Sequence, residues 1–132
     1  MLKKLKRFAL WPAIIWGIVL AVLMLLPQDS FPESKLLSYD KLAHVVVFTI
    51  FSLLVLTGIE LKRSSKSNNN SRRITLTICL VYGILLEGLQ SYVPGRMSDI
   101  YDLIANFTGG LLGVILFSFF IKNKLAIHKL IL

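Results

Sequence analysis

Apolar and polar positions alternate along this chain in long blocks rather than at short period. Phe8–Leu26 runs without a single charge. Leu42–Ile59 follows, apolar apart from His44 and a few small polar groups. Ile74–Leu89 is a shorter run with Glu87 near its end, and Ile104–Ile121 is a longer one with Asn106 near its start. A helix needs about 17–25 such residues to cross a hydrocarbon core roughly 30 Å thick. The pattern therefore predicts an all-α integral membrane bundle of four transmembrane helices, near 8–26, 41–60, 74–92 and 99–121. The third run is long enough only if it extends through Gln90–Tyr92. Pro12 stands close to the start of the first helix, where a proline is tolerated. The whole chain, 1–132, reads as a single domain.

Composition agrees: 55% of the 132 residues are hydrophobic and 17% charged, with a mean hydropathy of +0.72. A net charge of +8 would suggest nucleic acid if it covered one surface, but the charges sit in clusters between apolar runs. Twelve Lys and Arg fall in the N-terminal segment, the 62–73 connector and the C-terminal tail; Lys35, Lys41 and Arg96 fall on the other side. The positive-inside rule then places both termini in the cytoplasm (N-in/C-in), and no nucleic acid is expected as a partner. The connector, rich in Ser and Asn, reads as a flexible linker. The first helix reads as a retained signal anchor, since no small-residue cleavage site follows Leu26. Trp11 and Trp16 suit the inner interface. The lone Cys79 lies in an apolar run and reads as packing.

Placing the polar residues by depth collects them at the outer side. His44 lies about a turn below the start of the second helix, four residues from Asp40 on the same face. Glu87 and Gln90 occupy the end of the third, before a turn at Tyr92–Gly95. Asp99, Asp102 and Asn106 fall at i, i+3 and i+7 of the fourth, so all lie within roughly 10 Å of the outer boundary. Asp40 or Ser38, and Asp99 or Ser98, also suit helix caps. An ionisable group inside a span costs several kcal/mol by some estimates and is retained mostly with a partner or a purpose; a purely structural pairing of Glu87 with His44 or Arg96 is the plainer alternative. Gly109, Gly110 and Gly113 continue the stripe as a close-packing face, and Gly109 and Gly113 could join copies of the chain. Ile104, Phe107, Leu111 and Val114 make the face expected towards lipid.

Asp40-Lys41-x-x-His44, Glu87-x-x-Gln90 and Arg96-x-x-Asp99-x-x-Asp102-x-x-x-Asn106-x-x-Gly109 together resemble the VanZ-like membrane protein family. The resemblance covers roughly Asp40 to Gly113. It implies a bacterial cytoplasmic-membrane protein of the cell envelope, associated through the founding member with resistance to the lipoglycopeptide teicoplanin. A phosphotransbutyrylase activity attached to some relatives has no counterpart here, because the sequence carries no acyl- or phosphate-binding loop of recognised form.

Two readings follow. In one, Asp40, Lys41, His44, Glu87, Gln90, Arg96, Asp99, Asp102 and Asn106 bind a membrane lipid, a lipid-linked cell-wall precursor or a lipoglycopeptide at the outer leaflet, Arg96 taking an anionic headgroup. In the other, a small intramembrane enzyme uses Glu87 or His44 as acid and base. A transporter would need oligomerisation to build an access path. His44, Glu87, Asp99 and Asp102 are metal-ligand types, but their spacing matches no metal motif, and no cofactor or metal is expected.

Overall fold

A computed structural model describes residues 2–26, 36–63, 69–95, 98–121 and 123–124, without the side chains of 2, 36–40 and 121. Every element among them is helical: α1 (Leu2–Arg7), α2 (Trp11–Leu25), α3 (Leu36–Lys62), α4 (Asn69–Gln90) and α5 (Ile100–Leu116), which runs on into a π-helical segment at Phe117–Ile121. Four helical stretches are long and apolar enough to cross a bilayer: Lys3–Leu25, Lys41–Lys62, Asn69–Gln90 and Ile100–Phe120. The expected four-helix architecture is what the structure has.

The boundaries differ for local reasons. The first stretch breaks at Phe8–Leu10, and Pro12 opens α2, where its missing N–H costs no hydrogen bond. The second helix starts at Leu36, so Asp40 lies inside its second turn and is no cap. The third helix reaches full length at the opposite end from the expected one. It ends at Gln90, and Asn69–Arg73, read as linker, form its first turns. Tyr92 and Val93 donate back to Leu89 and Gln90 in the turn that follows. The turn closes on Gly95 at φ 79°, a backbone conformation that side chains other than glycine's rarely adopt. Asp99 caps α5 as expected, its carboxylate accepting from the Tyr101 amide at 2.9 Å.

The broadest helix contact joins α3 to α5. A methyl group on Gly109 would collide with the Val45 carbonyl oxygen, and one on Gly113 would stand 2.5 Å from Ser52 Cβ. The close approach that these glycines permit is thus taken up within the chain, by α3. Ser52 fixes the approach with a hydrogen bond to the Gly110 carbonyl at 2.8 Å. Val114, expected to face lipid, turns inward instead and packs with Leu56 and Phe117; Ile104 and Leu111 are exposed as expected.

The other core joins α2, α3 and α4 through Leu20, Phe48, Phe51, Cys79 and Leu86, with Tyr82 against the Phe51 ring at 5.2 Å. Three polar side chains tie α2 to its neighbours through backbone carbonyls, which have no water to turn to at this depth. Trp16 donates to Val47 at 2.9 Å, Gln90 donates to Met24 at 2.7 Å, and the Tyr82 hydroxyl donates to Gly17. Trp16 therefore points into the bundle, not to an interface belt. Outside, Ile14, Ile18, Val22, Val81, Ile84, Leu85, Ile104 and Ile115 form an apolar exposed shell, as a lipid-facing surface requires.

Candidate functional site

At the end of the bundle that carries the Ser91–Gly95 turn, three helices deliver polar side chains to one place. α3 supplies Lys41 and His44, one turn apart. α4 supplies Glu87 from its last turn, and α5 supplies Asp99 from its cap, Asp102 from its first turn and Asn106 one turn deeper. The i, i+3, i+7 spacing of the last three puts them on the face of α5 that meets α3 and α4.

The cluster has a rim and a floor. On the rim, Lys41 Nζ bonds Asp99 Oδ2 at 2.7 Å and also Asp102 Oδ1; the Lys41 and Asp99 side chains are 38% and 39% exposed. In the floor, His44 and Glu87 are each only 4% exposed, and Asp102 and Asn106 are buried. His44 Nδ1 lies 2.6 Å from Asn106 Oδ1. A carbonyl oxygen only accepts, so Nδ1 is the donor of this bond. The other ring nitrogen, Nε2, is 3.8 Å from Asp102 Oδ2, and Nδ1 is 4.0 Å from Glu87 Oε1. Both separations are too long for hydrogen bonds. Glu87 Oε2 accepts from the Asp99 amide at 3.3 Å, which ties the end of α4 to the start of α5.

Two buried atoms of the floor have no hydrogen-bond partner: Glu87 Oε1, an acceptor, and Asn106 Nδ2, a donor. Each unsatisfied buried polar group costs about 1–3 kcal/mol. Among the described residues, three carboxyl groups (Glu87, Asp99, Asp102) gather around the ammonium of Lys41. Asp99, beyond the spans, is held below the ordinary carboxylate range, chiefly by the Lys41 hydrogen bond and then by the Tyr101 amide.

Six of the nine residues singled out from the sequence meet here: Lys41, His44, Glu87, Asp99, Asp102 and Asn106. Gln90 instead reaches the Met24 carbonyl on α2. Arg96 and the side chain of Asp40 lie outside the described residues. The sequence pattern also left a second polar group unread at the far end of the bundle. There Glu60 is 2% exposed, Arg63 donates to Ser71 at 2.7 Å, and Thr75 is buried. The second apolar run ends at Ile59, one residue short of Glu60, and Ser71 falls in the stretch that reads as linker. Neither carries a signal of burial. Arg63, just past the end of α3, ties Ser71 in the first turns of α4 to that helix, and Thr75 donates to the Ser71 carbonyl.

A family model described as VanZ/LLP1 matches residues 6–121. An uncharacterized protein of the fission yeast Schizosaccharomyces pombe is 30% identical over 87 residues, 65% of this chain and 51% of that protein. The chain thus spans about half the length of this curated relative. No solved structure matches it significantly.

Proposed function

This chain belongs to the VanZ/LLP1 family as a multi-pass membrane protein, and on that footing we propose that it binds a lipid headgroup. The headgroup is that of a membrane lipid, a lipid-linked cell-wall precursor or a lipoglycopeptide at the outer leaflet of a bacterial cytoplasmic membrane. The observation that carries this reading is the pair of orphan atoms, Glu87 Oε1 and Asn106 Nδ2, in a buried floor beneath a half-exposed rim. A hydroxyl group is donor and acceptor at once, so one headgroup hydroxyl reaching the floor satisfies both. Arg96 takes the phosphate, for which its planar fork is suited. The distribution of twelve basic residues against three supports the outward orientation. The fission-yeast relative favours a ligand class not confined to bacterial walls. Protection against teicoplanin follows if the bound lipid is one whose exposure the drug needs.

The test has two parts. Native mass spectrometry of protein released from membranes detects a retained lipid on the wild type and a depleted one on Glu87→Gln and Asn106→Leu. In cells, Glu87→Gln and Arg96→Ala abolish lipoglycopeptide protection while membrane expression persists. Unchanged lipid retention and unchanged protection in these variants would sink the reading.

One feature favours a second reading, an enzyme acting on the same headgroup: Glu87 Oε1 stands unpartnered 4.0 Å from the His44 ring, as an acid–base pair does before substrate closes the gap. Conversion of the retained lipid to a product of changed mass on incubation with the purified protein distinguishes it from binding alone.

A further inference from the structure

We propose that His44, Glu87 and Asp102 bind one divalent transition-metal ion of the Zn²⁺ or Mn²⁺ kind. The three residues come from three helices, all are buried, and one ligand atom of each lies within 4.8 Å of those of the other two. Metal bonds to nitrogen and oxygen are about 2.0–2.2 Å long. Two ligands of one ion therefore stand roughly 3–4.4 Å apart. The 3.8 Å between His44 Nε2 and Asp102 Oδ2 is in that range and outside hydrogen-bond range.

The surroundings suit a cation. Glu87 Oε1 is buried and has no partner, so it offers an unused ligand atom. Asn106 Oδ1 holds Nδ1 at 2.6 Å and so orients the ring with Nε2 towards Asp102, the task that outer partners perform for metal-bound histidines. Lys41 Nζ binds the other oxygen of Asp102, so its positive charge competes with a cation for that carboxylate. With its carboxylates ionised, the described cluster carries two negative charges in excess of Lys41, the charge of one divalent ion. An imidazole with two carboxylates fits Zn²⁺ or Mn²⁺ better than the all-oxygen sets of Ca²⁺ and Mg²⁺. Three protein ligands also leave coordination positions open. A headgroup oxygen would take one of them, and this last step rests on the headgroup reading above.

The experiment starts with tag-free protein in detergent, stripped with a chelator and equilibrated with ZnCl₂ or MnCl₂. Mass-spectrometric metal analysis is expected to find one ion per chain. His44→Gln, Glu87→Gln and Asp102→Asn should each weaken binding by at least the about 10–100-fold seen when even outer partners are removed. Glu60→Gln, at the far end of α3, should leave it unchanged. Lys41→Met guards against misfolding as an explanation, because loss of a competing positive charge should raise the affinity about tenfold or more. Wild-type protein without stoichiometric metal, three ligand variants that bind like wild type, or a Lys41→Met variant with no gain would each overturn the site. Retained lipid phosphorus is then measured before and after chelation. Loss of lipid with the metal supports the bridging role, whereas lipid that survives chelation overturns that role and leaves the cation site standing.

Discussion

Gly109→Ala is the substitution whose effect follows most directly from the geometry. The added methyl carbon would overlap the Val45 carbonyl oxygen and stand 2.9 Å from Phe48 Cβ and 3.1 Å from the Thr49 amide nitrogen, where ordinary contact begins near 3.4 Å. Two of these three are backbone atoms of α3, so no side-chain rotation relieves them, and α5 must move away by about 1 Å. Overpacking of this kind costs typically about 1–3 kcal/mol. The better helix propensity of alanine returns about 0.8–1 kcal/mol, for a net loss of about 0–2 kcal/mol. Gly88 is the internal control: a methyl there meets nothing within 4 Å, so Gly88→Ala keeps the propensity gain alone. The propensity gain cancels between the two variants, which should differ by the overpacking cost, about 1–3 kcal/mol, in reversible unfolding by SDS in mixed micelles. The same displacement stretches the 2.6 Å contact between His44 and Asn106, one turn away, past hydrogen-bond range. Gly109→Ala should accordingly lose bound lipid as well as stability. If it unfolds at the same SDS fraction as Gly88→Ala, or a higher one, the close α3–α5 packing is wrong.

Two further predictions follow from single residues. Because Asp99 is held below the ordinary carboxylate range in the folded protein, its stabilising contribution is complete above the unfolded value of about 3.9. It is lost as pH falls through the lowered folded value. Lys41→Met should move the Asp99 titration, followed by NMR, back up towards about 3.9, and an unmoved titration would refute the assigned cause. Tyr92, 86% exposed in the turn after α4, reports orientation. With Cys79 replaced by alanine, Tyr92→Cys should react with a membrane-impermeant maleimide in intact cells, and labelling only after permeabilisation would reverse the proposed orientation.

The four spans were legible in the sequence because the hydropathy of a long apolar run depends on no tertiary contact. Their ends were less so. The third run looked short at its N-terminal end because Ser71, Arg72 and Arg73 read as linker, whereas in the structure Ser71 is a buried helical residue bonded by Arg63. The depth of His44, Glu87, Asp102 and Asn106 could be counted along each helix from its fixed rise per residue, which is why six site residues were found together. Their mutual distances could not be counted, since they depend on the rotation of α3 against α5 and on how closely the glycines let the helices approach. A ligand set drawn from three helices also has no spacing to match, so the sequence offered His44, Glu87, Asp99 and Asp102 as ligand types without showing which of them come together. Gln90 shows the converse: its spacing from Glu87 suggested one shared face, but the presence of α2 beside α4 draws it to the Met24 carbonyl.

The central claim, that the three spans hold an outward-facing polar site open to a headgroup, is tested most directly by a crystal structure grown from a lipid mesophase. The account predicts headgroup density over Lys41 and Asp99, with a ligand hydroxyl or a bound ion partnering Glu87 Oε1. Acyl chains packed across that rim, with Glu87 Oε1 and Asn106 Nδ2 both satisfied by protein atoms, would contradict it.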